Sequence, residues 1–105
     1  MKIRAKAPLR LGIAGGGTDV SPYSDKYGGA VLNATINLYA HTFLETIEGD
    51  CIRFTALDIN KEDVIHLNSS ELREQGTLLL HRAVYNRVIK EFNKGIDIPM
   101  HMTTF

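Results

Sequence analysis

Polar and apolar residues alternate along this chain with two periods. A period of two runs through residues 2–14, 51–57 and 64–67, and a period near four runs through residues 77–93. Residues 2–7 set Lys2, Arg4 and Lys6 against Ile3, Ala5 and Ala7, as a half-buried strand does. Pro8 cannot donate to a sheet ladder and belongs at an edge or a bend. Leu9 to Ala14 resumes strand character, with Leu9, Leu11 and Ile13 on one face and Arg10 and Gly12 on the other. Ser21-Pro22 predicts an N-cap with proline at the first helical position, and a short helix through Lys26 or Tyr27 that Gly28-Gly29 ends.

Residues 30–37 and 38–47 are rich in β-branched and aromatic side chains and predict two strands. Glu48-Gly49-Asp50 is a turn signal leading into Cys51–Leu57, which suggests a hairpin. Asp58 to Glu62 forms a polar connection, Val64 to Leu67 a further short strand, and Asn68 to Glu71 offers several N-cap candidates. From Thr77 to Asn93 the pattern is helical. Leu80, Val84, Val88 and Phe92 fall four apart, widened by Leu79, Ala83 and Ile89. Arg82, Asn86, Arg87, Lys90, Glu91 and Lys94 then take the wet face, and Gly95 closes the helix. Residues 98–105 begin one more strand. The expected class is α+β: a twisted, mixed, mostly antiparallel sheet with the 77–93 helix across one face.

The chain has 105 residues, 44% hydrophobic and 23% charged, within the range of one folded domain or part of one. Twelve basic and twelve acidic side chains cancel, which gives no electrostatic reason to expect nucleic acid or an anionic membrane as partner. Cys51 is the single cysteine, reads as a strand residue rather than a nucleophile, and fits a reducing compartment. No apolar run approaches the ~18 residues of a membrane span, and the start lacks a signal core, so the expected location is cytoplasmic. His41, His66, His81 and His101 show no ligand spacing, so no metal site is expected. Asp58 and Asn60 read as a solvated connection before they read as pocket residues. Tyr23, Tyr27 and Tyr39 read as packing or rim residues before they read as platforms for a ring.

The candidate chemistry lies in Ala7-Pro8-Leu9-Arg10-Leu11-Gly12-Ile13-Ala14-Gly15-Gly16-Gly17-Thr18-Asp19. Three consecutive glycines weaken any regular element by about 0.5–1 kcal/mol each, so a chain that carries them is letting something approach its backbone. The run is neither Gly-x-Gly-x-x-Gly nor a P-loop, since Gly17 is followed by Thr18 and Asp19. A carboxylate repels phosphate and suits the hydroxyl donors of a sugar. A plain strand-to-helix turn capped by Thr18 or Asp19 accounts for the same spacing.

Residues 7–19 resemble the first motif of the GHMP small-molecule kinases. The longer run through Val20-Ser21-Pro22-Tyr23, with Val31-Leu32-Asn33-Ala34-Thr35-Ile36-Asn37-Leu38-Tyr39-Ala40, resembles the heptose-phosphate kinase branch. The resemblance implies transfer of a phosphoryl group from ATP, with Mg2+, to a sugar hydroxyl. In the heptose branch the acceptor is the anomeric hydroxyl of a heptose 7-phosphate. It implies Arg10 beside the transferred group, Thr18 and Asp19 on sugar hydroxyls, and Gly16 and Gly17 letting the sugar lie against backbone. The family's second motif, a Gly-Leu-Gly-Ser-Ser-type loop that grips ATP phosphates, does not occur here, so no nucleotide-binding residue is assigned. Residues 1–105 are accordingly expected to be part of such a kinase's N-terminal domain, cut before the nucleotide loop and C-terminal domain. An uncovered sheet surface would then invite self-association. The competing expectation is a non-catalytic fragment that binds sugar phosphate or merely folds.

Overall fold

The computed structural model describes residues 1–69, 73 and 75–105. The elements run β1 (Lys2–Ala14), α1 (Tyr23–Tyr27), β2 (Leu32–Thr46), β3 (Cys51–Ala56), β4 (Lys61–His66), α2 (Leu79–Phe92) and β5 (Met100–Thr104). Their five strands form one mixed sheet in the order β1-β2-β5-β3-β4. The expected α+β class with a single long helix is what the structure has. The capping candidates Ser70 and Glu71 lie outside the described residues.

Three local expectations change. Pro8 does not interrupt β1, which is an edge strand, the place in a sheet where proline is tolerated. The two strands expected over 30–47 are one continuous strand, β2. The hairpin expected across Glu48-Gly49-Asp50 does not form, because β5 inserts between β2 and β3. It pairs antiparallel with β2 (Leu44 opposite Met102) and parallel with β3 (Phe54 opposite Met102). The hairpin is instead β3–β4, with Ile52 opposite Ile65 and Phe54 opposite Asp63.

The chain divides into two compact units, residues 1–5 with 41–105, and residues 6–40. The first contains the core. Ile52, Phe54 and Ala56 of β3 and Ile65 of β4 turn one face toward Leu78, Tyr85 and Ile89, with Leu67, Met100 and Met102 packed around them. The Phe54 and Tyr85 rings meet edge to face at 6.2 Å. The Tyr85 hydroxyl accepts the Ile98 N–H at 3.0 Å and lies 3.2 Å from Asp97 Oδ1, which ties α2 to the approach to β5.

The helix uses a different face from the one its apolar spacing predicts. Its buried residues are Arg82, Tyr85 and Ile89, whereas Leu80 and Phe92 are 74% and 80% exposed and Val84 and Val88 are also exposed. Arg82, expected on the wet face, is only 2% exposed. Its Nε donates to Asp63 Oδ2 at 2.7 Å and its Nη2 to Asp63 Oδ1 at 2.6 Å, a bidentate pair, with Val64 O a further acceptor at 3.2 Å. Asp63 Oδ2 also accepts the Leu78 N–H at 3.0 Å, satisfying one of the free amides at the start of α2. Gly76 makes room for the pair, since a Cβ there would stand 2.3 Å from Arg82 Nε and 2.5 Å from Asp63 Oδ2.

Removing one partner of a buried, bonded pair strands the other charge. Arg82→Met is therefore expected to destabilise the fold by about 3–5 kcal/mol, and Asp63→Leu in the same chain to recover most of that loss. Urea denaturation of the single and double variants checks this.

The pair also sets a pH dependence. Hydrogen bonds from Arg82 hold the Asp63 carboxyl below its ordinary value of 3.8, and Arg73 does the same for Asp97. A depressed acid contributes stability above its unfolded pKa and loses it as pH falls through the lower folded value. Wild-type stability should therefore be flat above the ordinary carboxylate range and decline below 3.8. The double variant should decline less steeply over the same window.

Candidate functional site

Residues 6–40 form the second unit, and all the site residues expected from the sequence lie in it. Arg10 and Gly12 occupy alternate positions of β1, and both are exposed. A Cβ on Gly12 would meet nothing within 4 Å, so the strand surface next to Arg10 is bare. Beyond Ala14 the chain turns. The Thr18 N–H donates to Gly15 O at 3.1 Å and the Val20 N–H to Gly17 O at 3.4 Å. Gly15 and Gly17 have φ of +80° and +87°, backbone that a side chain would strain.

The three glycines have separate tasks. Gly15 is packed against backbone, for a Cβ there would lie 2.0 Å from Ala30 O. At Gly16 and Gly17 a Cβ would meet nothing within 4 Å. Gly16 is thus the residue whose bare main chain faces open space without serving the turn's own packing. The turn has a partner the sequence reading missed. A Cβ on Gly29 would lie 2.0 Å from Thr18 O, so the 28–30 segment presses on the glycine turn through a second side-chain-free contact. The signal for it was the doubled glycine at 28–29. Gly28, at φ +71° and with its N–H on Ser24 O, ends α1 by itself and leaves Gly29 for this other purpose.

Thr18 is half-buried, and its hydroxyl is occupied. Oγ1 donates toward Gly15 O at 2.6 Å, lies 3.1 Å from Ala30 O, and accepts the Ala30 N–H at 3.2 Å. The Thr18 side chain thereby joins the two halves of the turn. Asp19 and Arg10 are exposed and, among the described residues, have no hydrogen-bond or ion-pair partner, so both are available to a ligand. The N-cap of α1 is Pro22 itself, one position later than the Ser21 cap the sequence predicts, and Ser21 bonds the Asp25 carboxylate rather than a helix amide.

Other candidates resolve into structure. Tyr23 and Tyr27 pair with ring centroids 5.1 Å apart, and Lys6 Nζ sits 3.9 Å above the Tyr39 ring. His81 bonds Thr104, His101 bonds Thr55 and His41 stacks on Phe105. Asn60 takes the positive-φ position of the β3–β4 turn, with its N–H on Leu57 O at 3.3 Å. Among the described residues, no group of three or more His, Cys, Asp or Glu stands where it would hold a metal, and no helix is long and apolar enough to cross a membrane.

No protein-family model matches the chain. It is 47% identical over 93 residues to a D-glycero-alpha-D-manno-heptose 7-phosphate kinase of Campylobacter jejuni, which is 88% of this chain and 27% of that protein. The whole chain superposes with TM-score 0.77 and 44% identity on 33% of a D-glycero-D-manno-heptose 1-phosphate kinase from Bacteriodes thetaiotaomicron. It superposes with TM-score 0.72 on 32% of the mevalonate kinase of Methanococcus jannaschii, where 14% identity shows shared fold alone. The resemblance to the N-terminal part of GHMP kinases is therefore borne out in sequence and fold. The chain spans about a quarter to a third of the length of these relatives.

The division of labour among the glycines is testable by substitution. Gly15→Ala introduces both a contact with Ala30 O and a strained φ, and should loosen the turn by about 1–3 kcal/mol, seen as faster hydrogen exchange at the Thr18 amide. Gly16→Ala enters open space and should leave exchange and denaturation within about 0.5 kcal/mol of wild type.

Proposed function

We propose that this chain supplies the acceptor side of a GHMP-type sugar kinase, an ATP-dependent phosphotransferase acting on the anomeric hydroxyl of a heptose 7-phosphate in surface-carbohydrate synthesis. The observation that carries the reading is the turn itself. Bare backbone at Gly16 and an unpartnered carboxylate at Asp19 lie on a turn held by Thr18, Gly15 and Gly29, in a chain 47% identical to a named heptose phosphate kinase. The two heptose kinase relatives carry names with phosphate at different carbons. Reaction at C1 requires a free anomeric hydroxyl, so the proposed acceptor carries its phosphate at C7.

In this reading Asp19 accepts hydrogen bonds from sugar hydroxyls, and each such charge-assisted bond is worth about 1.5–3 kcal/mol. Gly16 and Gly17 let the sugar ring rest on main chain. Arg10 stays charged at any working pH and presents its guanidinium to the oxygen that acquires phosphate. Thr18, for which the resemblance implied a contact with the sugar, holds the turn in this reading.

ATP, which kinase relatives imply, would supply the phosphoryl group, and Mg2+ would screen its charge. The described residues do not fit either group. The start of α2 has no free cradle, because Asp63 already takes the Leu78 amide and sets a carboxylate where phosphate would lie. The first turn of α1 carries Asp25. We therefore assign no residue of this chain to nucleotide or metal. Residues 1–105 are proposed as part of the N-terminal domain of a longer kinase. The exposed Leu80, Val84, Val88 and Phe92 support this, being the kind of surface a larger fold buries. A cytoplasmic location and self-association through an uncovered sheet surface belong to the same proposal.

Titration calorimetry tests the acceptor assignment. Heptose 7-phosphate should bind the chain, and Asp19→Asn should weaken that binding by about tenfold or more. ATP should give no comparable heat. Equal affinity for Asp19→Asn and wild type, or no binding by wild type, would overturn the assignment.

A further inference from the structure

We propose that Thr18 is a positioning residue: its hydroxyl latches the glycine turn to Ala30, and acceptor affinity depends on that latch without any contact between Thr18 and the sugar. The inference rests on the acceptor-site reading above and adds a residue role to it.

A hydroxyl has one proton and two lone pairs. At Thr18 the proton is directed to Gly15 O, 2.6 Å away, and one lone pair takes the Ala30 N–H at 3.2 Å. The donor capacity that a sugar oxygen would need is therefore already committed. Both groups that Oγ1 joins are main chain, on opposite sides of a contact that excludes side chains. A Cβ on Gly15 would lie 2.0 Å from Ala30 O and one on Gly29 would lie 2.0 Å from Thr18 O. Two backbones that close leave their amide and carbonyl groups dependent on partners within the contact, and Thr18 Oγ1 bonds a group on each side.

The latch sits between the two ligand-facing residues. Gly15 precedes Gly16, and Thr18 precedes Asp19, so fixing positions 15 and 18 fixes the direction of the free backbone and of the free carboxylate. The Ser24 N–H on Val20 O, at 3.1 Å, then joins the turn to α1. Losing the hydroxyl should let the turn separate from Ala30 while the core, whose residues all lie in the other unit, stays folded.

The test compares Thr18→Val, which keeps the shape and removes the hydroxyl, with Thr18→Ser, which keeps the hydroxyl. Two quantities are measured on each chain: hydrogen exchange at the Ala30 amide, and calorimetric affinity for heptose 7-phosphate. Thr18→Val is expected to speed Ala30 exchange and weaken binding, each by about tenfold, while Thr18→Ser stays within about threefold of wild type in both. Gly29→Ala attacks the same contact from the other side, should reproduce Thr18→Val, and stands in for it if that variant fails to fold. Fast exchange with wild-type affinity would overturn the inference, because the latch would then be irrelevant to binding. Weak binding with a protected Ala30 amide would also overturn it, because Thr18 would then be touching the sugar. A wild-type chain that binds no heptose 7-phosphate would overturn the acceptor-site reading and this inference with it, whereas either of the other failures leaves that reading intact.

Discussion

The bidentate pair between Asp63 and Arg82 decides how the core unit is put together. It is buried, it joins β4 to α2, and through the Leu78 amide it also defines where α2 begins. Two charges at that depth are tolerated only because nearly every polar atom has a partner: both carboxylate oxygens accept from the guanidinium, and Val64 O takes a further N–H. The same pair rotates the helix. With Arg82 turned toward the sheet, Tyr85 and Ile89 follow it inward at spacings of three and four, and the longer apolar row at 80, 84, 88 and 92 is carried out to solvent.

Once α2 is oriented, the Tyr85 hydroxyl reaches the 97–98 segment and delivers β5 to its place between β2 and β3. A strand late in sequence thus becomes central in space. That insertion makes the sheet mixed, since β5 runs antiparallel to one neighbour and parallel to the other.

The second unit is organised by a different principle. Residues 6–40 contain no fully buried side chain, and their turn is held by backbone groups meeting where side chains are absent. Gly15 and Gly29 allow the approach and Thr18 supplies the polar link across it. Such a turn encloses little: Asp19 and the Gly16 backbone are exposed on it, and Arg10 is exposed on β1 before it.

The residues alone determined a good deal. Period-two and period-four patterns located most of the strands and the long helix, because those periods follow from backbone geometry and are visible locally. The run from Ala7 to Asp19 carried the likeness to the GHMP kinases, because thirteen residues in that particular order make a specific motif. What the sequence could not convey were relations between distant positions. Asp63 and Arg82 are nineteen residues apart and each alone reads as a surface charge; only their meeting makes burial favourable and turns the helix. Gly29 reads as the end of α1 until Thr18 O is seen against it, and no local pattern shows that the Thr18 hydroxyl bonds Ala30 across the turn. The order β2-β5-β3 likewise depends on which strand arrives beside which, a matter of packing that no local pattern encodes.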